Sequence, residues 1–164
     1  MPRPSAKPFP ITHRNLPRLL LQAREAVMGH ARPSLRAHGL SDQQWRVLRV
    51  LGEHAHEPQG IETGRVAQEA FLLGPSLTGV LARMEAAGLI ERQRCPQDGR
   101  RTVVRASALG LQKVRELSVG FEAHYQHMAA QLGPKRLATL YALLDELIAL
   151  EAPHGLTASE ESES

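Results

Sequence analysis

Several stretches of the chain place apolar residues three and four positions apart, the spacing that gathers side chains on one face of an α-helix. The first is Leu16, Leu19, Leu20, Ala23 and Val27, which predicts a helix from His13 to about Ala37, closed by Gly39. A second helix is predicted from Ser41 to about His54, because Ser41 with Gln44 has capping-box spacing and Leu40 with Trp45 has hydrophobic-staple spacing. Farther on, Leu77, Val80, Leu81 and Met84 define a short helix from about Pro75 to Ala87. Its boundaries follow from start and stop chemistry: Gly74 suits the N-cap, Pro75 the first helical position and Gly88 a left-handed stop. Leu111, Val114, Leu117, Phe121, Tyr125, Met128 and Leu132 mark a long helix opened by Ser107. Gly133-Pro134 ends it, and Leu137, Leu140, Tyr141, Leu144, Leu147 and Ile148 mark a final helix.

After Gly88 the pattern changes. Leu89 to Cys95 and Thr102 to Ala106 are strand-like runs, and Pro96, Gln97, Asp98 and Gly99 between them supply hairpin-turn chemistry. Arg100 and Arg101 follow at the turn, with Arg92, Arg94 and Arg105 on its stems. On the preceding helix, Gly79, Ala82 and Ala86 lie opposite the apolar stripe, flanked by Ser76, Thr78 and Arg83, so that face can lie close against a partner. A small-faced helix, a glycine stop and a basic hairpin in unbroken succession outline a helix that enters a DNA groove and a wing whose arginines reach a narrow groove. The competing reading is a helix buried on both sides with a solvated charged hairpin.

Leu72 to Arg101 resembles the recognition helix and wing of the multiple-antibiotic-resistance regulator (MarR) family of transcription factors, whose Asp-x-Arg wing motif is matched by Asp98, Gly99 and Arg100. Ile61 to Ala70 is similar to the first helix of that family's helix-turn-helix, with Val66-Ala67 at the usual Leu-Ala position. Two departures stand out: Gly74 occupies the place of the usual serine or threonine cap, and the strand after the wing ends in Ala106-Ser107 where Leu-Thr is common. The resemblance covers about Arg14 to Leu150. It implies a mainly α fold, a winged helix-turn-helix with N- and C-terminal dimerisation helices in the order α-α-α-α-β-wing-β-α-α. The implied organisation is a flexible arm over 1–12, a domain over 13–150 and a disordered acidic tail over 151–164. Within the domain the winged helix spans about 41–106 and the dimerisation helices about 13–37 and 107–150.

By the same resemblance, Thr63, Gly74, Pro75, Ser76, Thr78, Gly79, Arg83, Gln97, Asp98, Arg100 and Arg101 are expected to meet double-stranded DNA, as a homodimer on a palindromic operator. The segments RNLPRLLLQAREAVM and GLSDQQWRVLRVL look like the homoprotocatechuate-operon repressor subgroup, which implies a repressor of aromatic-acid catabolism released by a small aromatic carboxylic acid. Such a ligand needs an arginine for its carboxylate and an apolar wall for its ring. Arg14, Trp45 and Arg46 are the candidates, against the plainer reading of Trp45 as a staple residue and the arginines as solvated.

Composition agrees with this picture. The chain has 164 residues, near the size of one domain, and only 4% aromatic residues, which with abundant leucine and alanine favours helices over a β-sandwich. Its net charge is +3; removing the four glutamates of Glu151–Ser164, which has no lysine or arginine, leaves +7 on the rest, a balance suited to a nucleic-acid partner. Four prolines and no apolar run in Met1 to Thr12 speak against a leader or anchor there, no apolar stretch approaches the ~18 residues that span a bilayer, and cytoplasmic residence is the default. Cys95 is the single cysteine, so oxidant sensing through it is an alternative to an ordinary strand residue. His54 with His56, and His124 with His127, raise zinc sensing, but no compact metal-ligand motif accompanies them, so no metal or cofactor is expected and solvated histidines are the plainer reading. Gly74 to Gly79 is one residue too long for a nucleophile elbow, and no phosphate loop or dinucleotide fingerprint is present. An enzyme is therefore not expected, and the remaining alternative is a helical interaction protein without DNA binding.

Overall fold

The structure, a computed structural model, describes residues 14–95, 98 and 100–150. The arm expected over 1–12, the tail over 151–164 and Gln97 lie outside the described residues. The elements are α1 (Leu16–Ala37), α2 (Asp42–Glu53), β1 (Ile61–Glu62), α3 (Thr63–Glu69), α4 (Gly74–Ala86), β2 (Ile90–Arg94), β3 (Thr102–Ala106), α5 (Ala108–Leu132) and α6 (Pro134–Ile148). This is the mainly helical winged helix-turn-helix that the resemblance implies. Two compact units are distinguished, one reaching Phe121 and one beginning at Glu122.

Local chemistry sets most boundaries of the first unit. Asn15 caps α1, its side chain accepting from the Arg18 amide at 3.0 Å. Ser41 and Gln44 form the expected capping box of α2, each side chain bonded to the other's backbone amide. Ser107 does two jobs: its hydroxyl donates to the Gly88 carbonyl at 2.6 Å and accepts from the Gly110 amide at 3.0 Å, so the stop of α4 and the start of α5 share one residue. Gly110 allows this junction to close, since a Cβ there would lie 2.2 Å from the Leu89 carbonyl oxygen.

The sheet has three strands in the order β1-β3-β2, all antiparallel, where the sequence pattern suggested two. Ile61 pairs with Val104 and Glu62 with Val103, so the first two residues of the stretch read as the opening of a helix form an edge strand, and α3 starts at Thr63. Gly60 turns the chain into this edge with φ of +79°, where a Cβ would lie 2.5 Å from the Val104 carbonyl oxygen. In β2 and β3 the register runs from Ile90 opposite Ala106 to Arg94 opposite Thr102, which places the wing turn beyond Arg94. The core of the unit gathers Val47, Leu48, Val66, Val80, Met84, Val104 and Leu117, all essentially inaccessible to solvent.

The second unit comprises the end of α5 and α6. Gly133, at φ +91°, is the N-cap residue of α6. No residue of α6 is buried, and Leu140, Tyr141, Leu143 and Ile148 are exposed. No helix among the described residues is long and apolar enough to cross a membrane.

Candidate nucleic-acid interface

The helix α4 is amphipathic as predicted: Leu77, Val80, Leu81 and Met84 are buried, and Pro75, Ser76, Thr78, Ala82, Arg83 and Ala86 are exposed. Its start lies one residue earlier than the sequence pattern placed it. Leu73 is the N-cap residue, its carbonyl accepting the first helical bond from the Leu77 amide at 2.9 Å, so Gly74 is already helical and Pro75 sits one position further in. Proline is tolerated there because the amides of the first turn have no helical acceptor to lose. No side chain caps this end, and the Thr78 hydroxyl instead donates back to the Gly74 carbonyl at 3.2 Å. With no side-chain cap among the described residues, the first-turn amides of α4 present the donor set by which a helix start accepts an anion. Gly88, at φ +69°, ends the helix as expected.

Opposite the stripe, Gly79 is half-buried, and a Cβ there would lie 3.5 Å from Arg83 Nη1. The Arg83 guanidinium therefore lies back over Gly79, and the small residue makes room for the arginine. Thr63 stands half-buried at the start of α3. Together with Gly64, Gly74, Thr78, Arg92 and Thr102 it lines a cleft of about 420 Å³ between α3, α4 and the wing strands. Sequence reasoning singled out Thr63, Gly74 and Thr78 of this set and missed Gly64, the neighbour of Thr63 on α3, and Thr102, which the fold brings in from β3.

The wing arginines divide into two classes. Arg101 forms an ion pair with Glu62 at 2.7 Å and with Asp98 at 3.4 Å. Arg92 is held by Glu85 of α4, with Nε 2.8 Å from Oε2, and Arg105 by Glu91 at 2.8 Å. Arg94 and Arg100 have no hydrogen bond or ion pair from their guanidinium groups among the described residues. Asp98 organises the turn: its side chain accepts from the Arg100 amide at 3.0 Å, and its carbonyl accepts from the Arg101 amide at 2.9 Å. The Asp-x-Arg pattern is thus an aspartate that fixes the turn and an arginine left available at its tip. Cys95, half-buried at the base of the turn, donates its amide to the Arg101 carbonyl at 2.8 Å.

The turn between α3 and α4 carries an unusual residue. Phe71 has φ of +51°, the left-handed region that disfavours a Cβ, and is 85% exposed, while Leu73 is 79% exposed. Its carbonyl oxygen accepts from Arg46 Nη1 at 3.1 Å, so α2 braces the turn that sets the entry of α4. Burial, reinforced by the nearby charge of Arg24, holds Arg46 below the usual guanidinium range, and its Nε is buried without a hydrogen-bond partner among the described residues. Trp45, next to it on α2, is only 3% exposed and stacks on Phe121 with ring centroids 4.8 Å apart and planes at 14°. Arg14 is exposed just ahead of α1, and no hydrogen bond or ion pair among the described residues joins it to Trp45 or Arg46.

Residues 38–101 match the MarR family. The homoprotocatechuate degradative operon repressor of Escherichia coli is 36% identical over 138 residues, covering 84% of this chain and 90% of that protein. The solved structure of the transcriptional regulator PA4135 superposes with a TM-score of 0.78 at 41% identity, over 85% of this chain and 100% of the other. A structure of NadR in complex with 4-hydroxyphenylacetate superposes with a TM-score of 0.74 at 35% identity, over 88% of this chain and 99% of the other. With the helix-turn-helix, the wing and these likenesses in agreement, the chain belongs to the MarR family of transcriptional regulators.

Proposed function

We propose that the protein is a cytoplasmic, non-enzymatic repressor of an aromatic-acid catabolic operon, bound as a homodimer to a palindromic operator and released by a small aromatic carboxylic acid. The DNA contacts are assigned to Thr63, Gly74, Pro75, Ser76, Thr78, Gly79 and Arg83 around the recognition helix, and to Gln97, Asp98, Arg100 and Arg101 of the wing. Dimerisation is supported by apolar surface that a monomer leaves in water, on α1 at Leu16, Leu20 and Leu21 and on α6 at Leu140, Tyr141 and Leu143. A twofold dimer would present two copies of α4 to half-sites about 34 Å apart.

The single observation that carries the effector reading is Arg46. Its Nη1 holds the carbonyl of the helix-turn-helix turn while its Nε is a buried donor lacking an acceptor among the described residues. A carboxylate received there satisfies that donor and draws on the same guanidinium that fixes Phe71, so ligand binding reaches the entry of α4 through one side chain. Trp45 beside it is 3% exposed and stacked on Phe121, so it serves as the ring wall of this reading only where the ligand opens that stack, and Arg14 is the second cation of the reading. That NadR was solved with 4-hydroxyphenylacetate and that the E. coli relative is named for homoprotocatechuate catabolism supports an aromatic acid as the ligand class. Titration with 4-hydroxyphenylacetate or 3,4-dihydroxyphenylacetate is expected to change Trp45 fluorescence and to release a duplex from the promoter of the regulated operon. Arg46→Lys should weaken the response while leaving the fold intact. Silence toward every aromatic acid tested removes the effector assignment and leaves the DNA-binding assignment standing.

A further inference from the structure

A second constellation lies away from the effector candidates, where the end of α2 meets α3. His54 is largely buried between two carboxylates: its Nε2 is 2.7 Å from Glu69 Oε2 and its Nδ1 is 3.2 Å from Glu57 Oε1. His56 stands beside it, with ring centroids 6.0 Å apart, and donor atoms of His54, His56 and Glu57 all lie within 4.8 Å of one another. Among the described residues this is the one group of three or more histidine, cysteine or acidic side chains so convergent. Arg65 of α3 completes the cluster, its Nη1 3.0 Å from Glu57 Oε1 and its Nε 2.7 Å from Glu69 Oε1.

We propose that His54 Nδ1, His56 and Glu57 Oε1 bind a divalent transition-metal ion of the zinc type, with water as the fourth ligand and Glu69 as the positioning residue behind His54. When Nε2–H is donated to Glu69, the Nδ1 lone pair faces the Glu57 carboxylate. Two ligand atoms on a tetrahedral zinc, each ~2.0–2.1 Å from the ion, are separated by about 3.3 Å, close to the 3.2 Å between Nδ1 and Oε1. A carboxylate accepting from the outer nitrogen of a ligating histidine is the arrangement that fixes ring orientation and raises ligand basicity at metal sites. The ion takes the place of Arg65, whose Nη1 is 3.0 Å from Glu57 Oε1 and whose Nη2 is 3.4 Å from His54 Nδ1, so binding exchanges an arginine of the first helix of the helix-turn-helix for a metal. The site is independent of the aromatic-acid reading, and the failure of either leaves the other intact.

Cobalt(II) tests it, added to the full chain without a polyhistidine tag and followed by the visible absorption of a tetrahedral complex. One equivalent per chain, displaced by zinc(II), is the expected result. His56→Asn changes an exposed side chain and should abolish the tetrahedral spectrum, with unchanged helical circular dichroism. Glu69→Gln should weaken binding about tenfold to a hundredfold. His127→Asn should bind as the unaltered chain does. The proposal is overturned if no tetrahedral spectrum develops, or if His56→Asn retains it at equal affinity.

Discussion

Arg100→Ala isolates the contribution of the wing. The Arg100 guanidinium has no partner among the described residues, and the turn is fixed by backbone donors to Asp98, so truncation removes a charge without removing a brace. Each arginine that neutralises a phosphate contributes about 0.9 to the slope of log K against log salt. A dimer carries two such wings, so the variant should lose about 1.8 from the slope. Between roughly 50 and 200 mM salt this makes the unaltered protein lose about twelvefold more affinity than the variant, so the gap between them is widest at low salt. Fluorescence anisotropy with a labelled promoter duplex and a scrambled duplex, each across a salt series, measures both quantities. If Arg100 instead reaches a base edge, the loss is confined to the promoter duplex and amounts to about 1–3 kcal/mol. Equal affinity and equal slope on both duplexes would refute the assignment of Arg100 to DNA.

Three further outcomes follow from the packing of the first unit. Met84→Ala removes a side chain with 0% exposure from beneath the recognition helix and should cost about 2–5 kcal/mol, read as a lower urea midpoint. Gly110→Ala forces a Cβ to within 2.2 Å of the Leu89 carbonyl and should lower the melting temperature, whereas Gly120→Ala, whose nearest neighbour is Ser34 Oγ at 4.0 Å, should raise it slightly through helix propensity; equal behaviour would contradict the close α5 junction. The hydrogen bond from Arg92 holds the Glu85 carboxyl below the usual carboxylate range. Because the folded-state value is the lower one, the stabilisation is present at neutral pH and is lost as pH falls through that depressed value. The melting-temperature difference between the unaltered chain and Glu85→Gln should therefore shrink on acidification, and a constant difference would argue against the pair.

The elements whose information is local were legible in the sequence. The stripe of α4, the capping box of α2, the glycine stop at 88 and the break at Gly133-Pro134 each depend on residues within a few positions of one another. What escaped was long-range. A two-residue strand such as β1 has no periodicity to detect, and it forms because Ile61 finds Val104 across the sheet. Glu62 and Arg101 are 39 positions apart, and the Trp45–Phe121 stack joins elements separated by most of the winged helix. Phe71 is the instructive case, since no glycine or asparagine marks its left-handed backbone. The conformation is sustained by buried neighbours at Ala70 and Leu72 and by Arg46 on its carbonyl, none of which is a local turn signal. For the candidate site, spacing identified which arginines stand near the wing but not which are already bound.

That distinction changes the electrostatic picture. By sequence, five arginines crowd β2, the turn and β3, and the wing reads as a uniformly cationic projection. In the structure Glu85, Glu91 and Glu62 engage Arg92, Arg105 and Arg101, each from a different element. These pairs are exposed, so they add little stability, but they orient the guanidinium groups and reduce the charge offered to DNA. Glu62 is the pivotal one. It immediately precedes α3, and its bond to Arg101 links the wing tip to the first helix of the helix-turn-helix across the rim of the cleft. On the proposed DNA assignment, a phosphate entering there would compete with Glu62 for Arg101, and its binding energy would be reduced by the work of separating that pair. Arg100 faces no such competition. On the proposed assignment the wing divides its labour by position: Arg100 and Arg94 would supply the long-range attraction, while Arg101 would engage DNA only where a phosphate comes close enough to displace the Glu62 carboxylate. A geometrically conditional contact of that kind would favour a correctly docked duplex over a loosely associated one, so the proposed Arg101 contact predicts that Glu62→Gln narrows the affinity gap between a promoter duplex and a scrambled one.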